Sequence, residues 1–160
     1  MLALLAHWTD VWTSLYANSA ALRTSVGFAH IGGLVAGGGS AIVADRATLA
    51  AWRRDAASRA ALVRALRGTH RVVVLGLVVV SVSGVLLLAA DADTYLHSRV
   101  FWIKMGLLAV LLANGSLLVR AGRRVEAGHP RAWARLGYGS VASLILWFLI
   151  TLMGAALPNV

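Results

Sequence analysis

Residues 72–90 read VVVLGLVVVSVSGVLLLAA, a run without a single charged side chain. A helix rises about 1.5 Å per residue, so roughly twenty apolar residues cross a hydrocarbon core about 30 Å thick. The run therefore predicts a helix that spans a bilayer. Three others of similar length accompany it, at residues 24–44, 100–119 and 136–158, and Lys104 is the one full charge among the four. The chain of 160 residues reads as a single all-α integral membrane domain, an antiparallel bundle of four transmembrane helices.

Composition agrees, with 59% apolar residues, and the absence of Cys excludes disulfides, thiolate metal sites and thiol chemistry. A net charge of +9 invites a nucleic-acid reading, but its placement argues against one. Arg46, Arg53, Arg54, Arg59, Arg64, Arg67 and Arg71 lie between the first and second spans. Arg120, Arg123, Arg124, Arg131 and Arg135 lie between the third and fourth. The opposite side carries Arg23 and Arg99 with Asp10, Asp91 and Asp93. Under the positive-inside rule both Arg-rich connections face the cytoplasm, and both termini face the periplasmic side of a bacterial inner membrane. The guanidinium groups then meet anionic lipid headgroups, and no nucleic acid is expected as a partner.

Residues 1–22 lack the basic start of a signal peptide, and His7 and Asp10 interrupt their apolar stretch. Leu4, Trp8, Val11, Leu15 and Leu22 recur at three-, four- or seven-residue steps, which predicts an amphipathic helix on the outer surface. A surface for docking another membrane subunit has the same pattern. Residues 47–67, rich in Ala and Arg, predict a cytoplasmic surface helix running towards span two. The short 91–98 connection makes spans two and three neighbours, with Asp93 or Thr94 as the cap of span three. Gly122, Gly128 and Pro130 punctuate a turn within residues 121–134.

Small residues mark the faces where helices meet. Gly33 and Gly37 in span one, and Gly76 and Gly84 in span two, allow close backbone approach in lipid. Ser140, Ser143, Trp147 and Thr151 form a mildly polar stripe on span four, and Asn114 and Ser116 add polar groups to span three. The run Gly37-Gly38-Gly39 clears a groove that suits a neighbouring helix, a lipid chain or a flat cofactor. It is no phosphate loop, because the Lys and Ser/Thr of that motif are absent.

Ionisable groups inside a span are costly and commonly face a cavity or a partner. His30 lies about six residues into span one, roughly 10 Å below the outer surface, and Lys104 lies at a similar depth in span three. His97, Phe101 and Lys104 follow i, i+4, i+7 spacing, which puts them on one helix face. Simpler roles exist for each: Lys104 snorkels to the interface, His30 hydrogen-bonds a neighbouring helix, and His97 is solvated. His70, at the other end of span two, is too far from His30 to share a site. A b-type haem suits this pattern, since it needs His or Met ligands, an apolar slot and cations near its propionates. His30 is then the metal ligand, the glycine-lined groove the slot, and Arg99 or Arg23 a propionate partner. His97 and Met153 are the second ligands on offer, with Met105 behind them.

Gly27-Phe28-Ala29-His30-Ile31-Gly32, followed by Ala44-Asp45-Arg46, resembles the first span of HemJ-type protoporphyrinogen oxidases and the related CopD-like membrane proteins. Tyr95-Leu96-His97-Ser98-Arg99 is similar to the Trp-Leu-His-x-Lys segment opening their third span, and Phe101-Trp102-Ile103-Lys104 to the pattern that follows in CopD-like relatives. Ser83-Gly84-Val85-Leu86 looks like the end of their second span. The resemblance implies a four-helix haem-binding core in which the span-one His ligates iron. Ala36-Gly37-Gly38-Gly39 stands where the family has Trp-Phe-x-Gly, and Leu49 and Asn114 stand near the places of two further His.

The leading expectation is a haem-b-associated redox or electron-transfer protein. In it His30 is the axial ligand, His97 a second ligand, Arg99 neutralises a propionate and Lys104 tunes the site or handles a proton. The alternatives are a cofactor-free accessory subunit of a larger membrane complex, and an ion-handling protein centred on His30 and Lys104. The last is disfavoured because the spans carry no acidic group.

Overall fold

A computed structural model describes residues 2–157, with side chains from residue 9 onward. The expected apolar face through Leu4 and Trp8, the position of His7 and the end of span four at Pro158 lie outside those described. The described residues form helices α1 (Leu2–Asn18), α2 (Ala20–Ala50), α3 (Ala56–Ala65), α4 (Arg67–Ala90), α5 (Ala92–His97), α6 (Arg99–Glu126) and α7 (Ala132–Ala156). Four of them, α2, α4, α6 and α7, are long and apolar enough to cross a membrane, as expected for a multi-pass membrane protein.

The helices overrun the apolar segments that predicted them. Ser19 caps α2, its hydroxyl accepting from the Leu22 amide at 3.2 Å, and the helix continues to Ala50. Asp45 and Thr48 are thereby carried into the body of α2. The expected single helix over residues 47–67 is broken instead. α2 ends, a turn follows, and Asp55 starts α3 by accepting from the Ser58 amide at 3.0 Å. Arg59 donates to the Trp52 carbonyl and stacks 5.1 Å from the Trp133 ring centroid, so the turn is folded back against α7.

Neither Asp93 nor Thr94 caps α6. Ser98, in extended backbone geometry, accepts from the Phe101 amide at 3.4 Å, and residues 92–97 form the separate short helix α5. His97 therefore shares no helix face with Lys104, contrary to the spacing argument. The turn between α6 and α7 covers residues 127–131, where Gly128 adopts φ 78°, a left-handed conformation that glycine enters without strain.

α2 packs on α4, α6 packs on α7, and α2 joins the two pairs by packing on α7. The α2–α4 contact is made by backbone. A Cβ on Gly76 would lie 2.6 Å from Gly37 Cα and 2.8 Å from the Gly33 carbonyl oxygen. On the other side of α2, a Cβ on Gly38 would lie 3.0 Å from the Trp147 ring. The apolar core has two parts. Ala41, Leu111, Leu146, Trp147 and Ile150 fill the middle, and Ala51, Ala121, Val125, Ala132, Trp133 and Leu136 fill the Arg-rich end. At the opposite end, Trp12 of α1 donates to the Leu86 carbonyl at 2.9 Å and Thr13 to the Ala89 carbonyl at 3.2 Å. These bonds serve carbonyls near the end of α4, where the helix has few partners of its own.

Two outcomes are expected. Gly76→Ala forces two backbones apart and lowers the free energy of unfolding in detergent by about 1–3 kcal/mol, whereas Gly106→Ala, with open space around it, leaves it unchanged. The Ser58 hydroxyl and amide hold the Asp55 carboxyl below its ordinary range. Its contribution to α3 is therefore complete above the unfolded carboxylate pKa and disappears as pH falls through the folded value. Asp55→Ala speeds amide exchange at Ser58 at neutral pH, and acid does the same to the wild type.

Candidate functional site

The residues singled out near the α5 end are only partly gathered. His30 Nδ1 lies 3.0 Å from the Ser83 hydroxyl, which also donates to the Val79 carbonyl, and Gly84 leaves ordinary contact space beside the imidazole edge. Lys104, on α6, interacts electrostatically with His30, and its ammonium would sit 3.4 Å from a Cβ added at Gly154 on α7. His97 is exposed, and its Nδ1 contacts the Asp93 carbonyl of its own helix at 2.7 Å. Arg99 is exposed at the first position of α6. The structure thus joins His30 with Ser83 and sets Lys104 within electrostatic range, while His97 and Arg99 stay on the surface.

The groove expected to receive a macrocycle is filled. Gly33 and Gly37 lie against Gly76 of α4, and Gly38 lies against Trp147, so neighbouring helices take the space the glycines clear. No group of three or more His, Asp or Glu side chains converges among the described residues. His30 has one nitrogen engaged by Ser83 and the other available, but this packing gives a flat cofactor no slot beside it.

The large space lies elsewhere. α4 and α6 make no extended contact, and between them opens a cavity of about 880 Å³. Val73, Leu77, Leu111, Leu118 and Trp147 give it apolar walls. Val74 and Leu112 line it and are exposed, so it opens sideways between α4 and α6, where an embedded helix pair meets hydrocarbon. At the Arg-rich end the Arg67 Nε donates to Glu126 Oε1 at 3.1 Å, an ion pair that ties α4 to α6 across the cleft. Arg120, Arg123 and His70 line the same end, and neither Arg120 nor Arg123 has a carboxylate partner among the described residues.

On the inner wall, formed by α2 and α7, sits an acid. Asp45 is 6% exposed, the Ser140 and Ser143 hydroxyls lie beside its carboxylate, and its Oδ2 has no hydrogen-bond partner. Thr48, one turn on, donates to the Ala44 carbonyl at 2.9 Å. Buried polar atoms normally find partners, so a bare carboxylate oxygen facing a cavity marks a place where something else binds. Sequence reasoning missed this residue by ending span one at Ala44. Two signals were available. Ala41, Asp45 and Thr48 fall on one helix face with Gly37 and Gly38, and the Ser140–Ser143–Trp147 stripe on α7 needed a polar counterpart. The earlier objection that the spans lack acidic groups falls with it.

Trp147 closes one end of the cleft and buries its ring against Gly38. Trp147→Ala lowers the unfolding free energy by about 3–5 kcal/mol and enlarges the cavity, read as a drop in Tm in detergent. Phe148→Ala, at a side chain 72% exposed, leaves Tm almost unchanged.

No protein-family model, no curated protein sequence and no solved structure matches this chain.

Proposed function

We propose that the chain is a multi-pass protein of a bacterial inner membrane that binds a phospholipid in the cleft between α4 and α6. In this reading the four spanning helices form an antiparallel bundle, the Arg-rich end faces the cytoplasm, and α1 lies on the outer surface. The observation that carries it is an apolar cleft, open sideways, whose Arg-rich end holds two guanidinium groups without protein partners. Acyl chains enter between α4 and α6 and lie along Val73, Leu77 and Leu111. The phosphate meets Arg120 and Arg123, where charge-assisted hydrogen bonds are short and strong in a medium of low dielectric. No bond is made or broken; the chemistry is recognition.

Lipid retained through purification in mild detergent and read by native mass spectrometry is the direct test. Replacing Arg120 and Arg123 together by Gln lowers retention roughly tenfold, the loss expected for one strong ionic hydrogen bond. Unchanged retention overturns the assignment.

A second reading, haem b ligated by His30, is favoured by the Ser83 hydroxyl, which orients the imidazole as an outer-shell partner orients a ligating His. It requires the helices to part, since α4 and Trp147 fill the glycine-lined groove. A Soret band that disappears in His30→Ala supports it. A colourless protein after haem supplementation removes it.

A further inference from the structure

We infer that the cleft selects a zwitterionic lipid with a primary ammonium, that of an ethanolamine headgroup, and that Asp45 with Ser140 and Ser143 forms the ammonium subsite. The inference rests on the lipid reading of the cleft and adds the identity of the headgroup.

The cleft presents both signs of charge on different walls. Arg120 and Arg123 stand on α6, and Asp45 stands on α2 with its Oδ2 unpartnered. Asp45 lies close to headgroup depth. Gly33 meets Val79 and Val80, and Gly37 meets Val73 and Gly76, so the register along α2 and α4 brings Asp45 level with the first turn of α4 near Arg67 and Thr69. Asp45, Arg67 and the guanidinium groups of α6 therefore border one zone at the Arg-rich end.

Three candidates meet a bare carboxylate: a free cation, a multivalent metal and a tethered ammonium. Among the described residues no further acidic or imidazole group joins Asp45 to make a metal cluster. A free monovalent cation enters a cleft lined by Arg67, Arg120 and Arg123, with Glu126 already paired to Arg67, and meets net repulsion. A zwitterion carries its own phosphate, which neutralises the Arg groups as its ammonium reaches the carboxylate. A primary ammonium offers three N–H donors, the same set a Lys presents. Three oxygen acceptors stand together to receive them: Asp45 Oδ2 and the hydroxyls of Ser140 and Ser143. A quaternary choline ammonium has no N–H, and a glycerol headgroup has no cation, so neither satisfies the carboxylate.

Native mass spectrometry of the full chain in detergent tests this with ethanolamine, choline and glycerol phospholipids of identical acyl chains. The wild type retains the ethanolamine lipid about tenfold over the choline lipid, the difference expected for a charge-assisted hydrogen bond. Asp45→Asn, which preserves shape, brings the two within about twofold while glycerol-lipid retention stays at the wild-type level; a factor of two lies well inside one such bond. Ser143→Ala gives an intermediate preference and guards against misfolding of the Asp45 variant. Equal retention of ethanolamine and choline lipids by the wild type, or a preference that survives Asp45→Asn, overturns the headgroup assignment and leaves the lipid cleft standing. Retention of none of the three lipids overturns both.

Discussion

The backbone contact between α2 and α4 sets the rest of the arrangement. In lipid, helices gain nothing from burying apolar side chains against each other, so packing and close approach hold them together. Gly33, Gly37 and Gly76 permit that approach, and Gly38, one residue round the helix, accepts Trp147 of α7. α2 is thus committed on two faces at once. α6 reaches the others through α7, and its contact with α4 is reduced to the ion pair at one end. The cleft is the space left when four helices are arranged by two glycine faces on one of them.

The cleft joins two features that are separately unremarkable. An apolar cavity between helices is often filled by lipid, and Arg residues at a membrane end often meet headgroups. What gives this one chemical direction is Asp45, held at 6% exposure beside two hydroxyls with one oxygen unserved. Asp45 stands on the wall facing the cavity, so a bound headgroup, and not the protein itself, is its natural partner in the reading proposed here. The His30–Ser83 pair at the other end is a satisfied interhelical hydrogen bond, and it serves packing between α2 and α4 whether or not the second imidazole nitrogen has a role.

Length and apolar character carried the largest inferences from residues alone. Runs of about twenty apolar residues have one stable fate in a bilayer, because every backbone group must be paired within the segment. The four spanning helices, the close approach at Gly33, Gly37 and Gly76, and the interhelical role of Asn114, whose side chain donates to the Gly139 carbonyl at 2.9 Å, were legible in this way. Local capping was less so. Ser98 outcompeted Asp93 and Thr94 for the start of α6, and Asp55 split a stretch that composition alone reads as continuous helix. Such choices turn on single hydrogen bonds worth little against the energy of a span.

Tertiary structure alone decided what occupies the glycine groove, where the open space lies and which polar group faces it. The groove could have taken a cofactor, a lipid or a helix, and only the packing of α4 and Trp147 makes it a helix contact. Asp45 sits just past the last residue of an apolar run, a position that reads as interface until α7 is seen lying across it. Sequence determines which segments must enter the hydrocarbon, because that depends on each segment's own composition. Which side chains then meet across the bundle depends on helix rotation and spacing, and those follow from contacts between segments far apart in the chain.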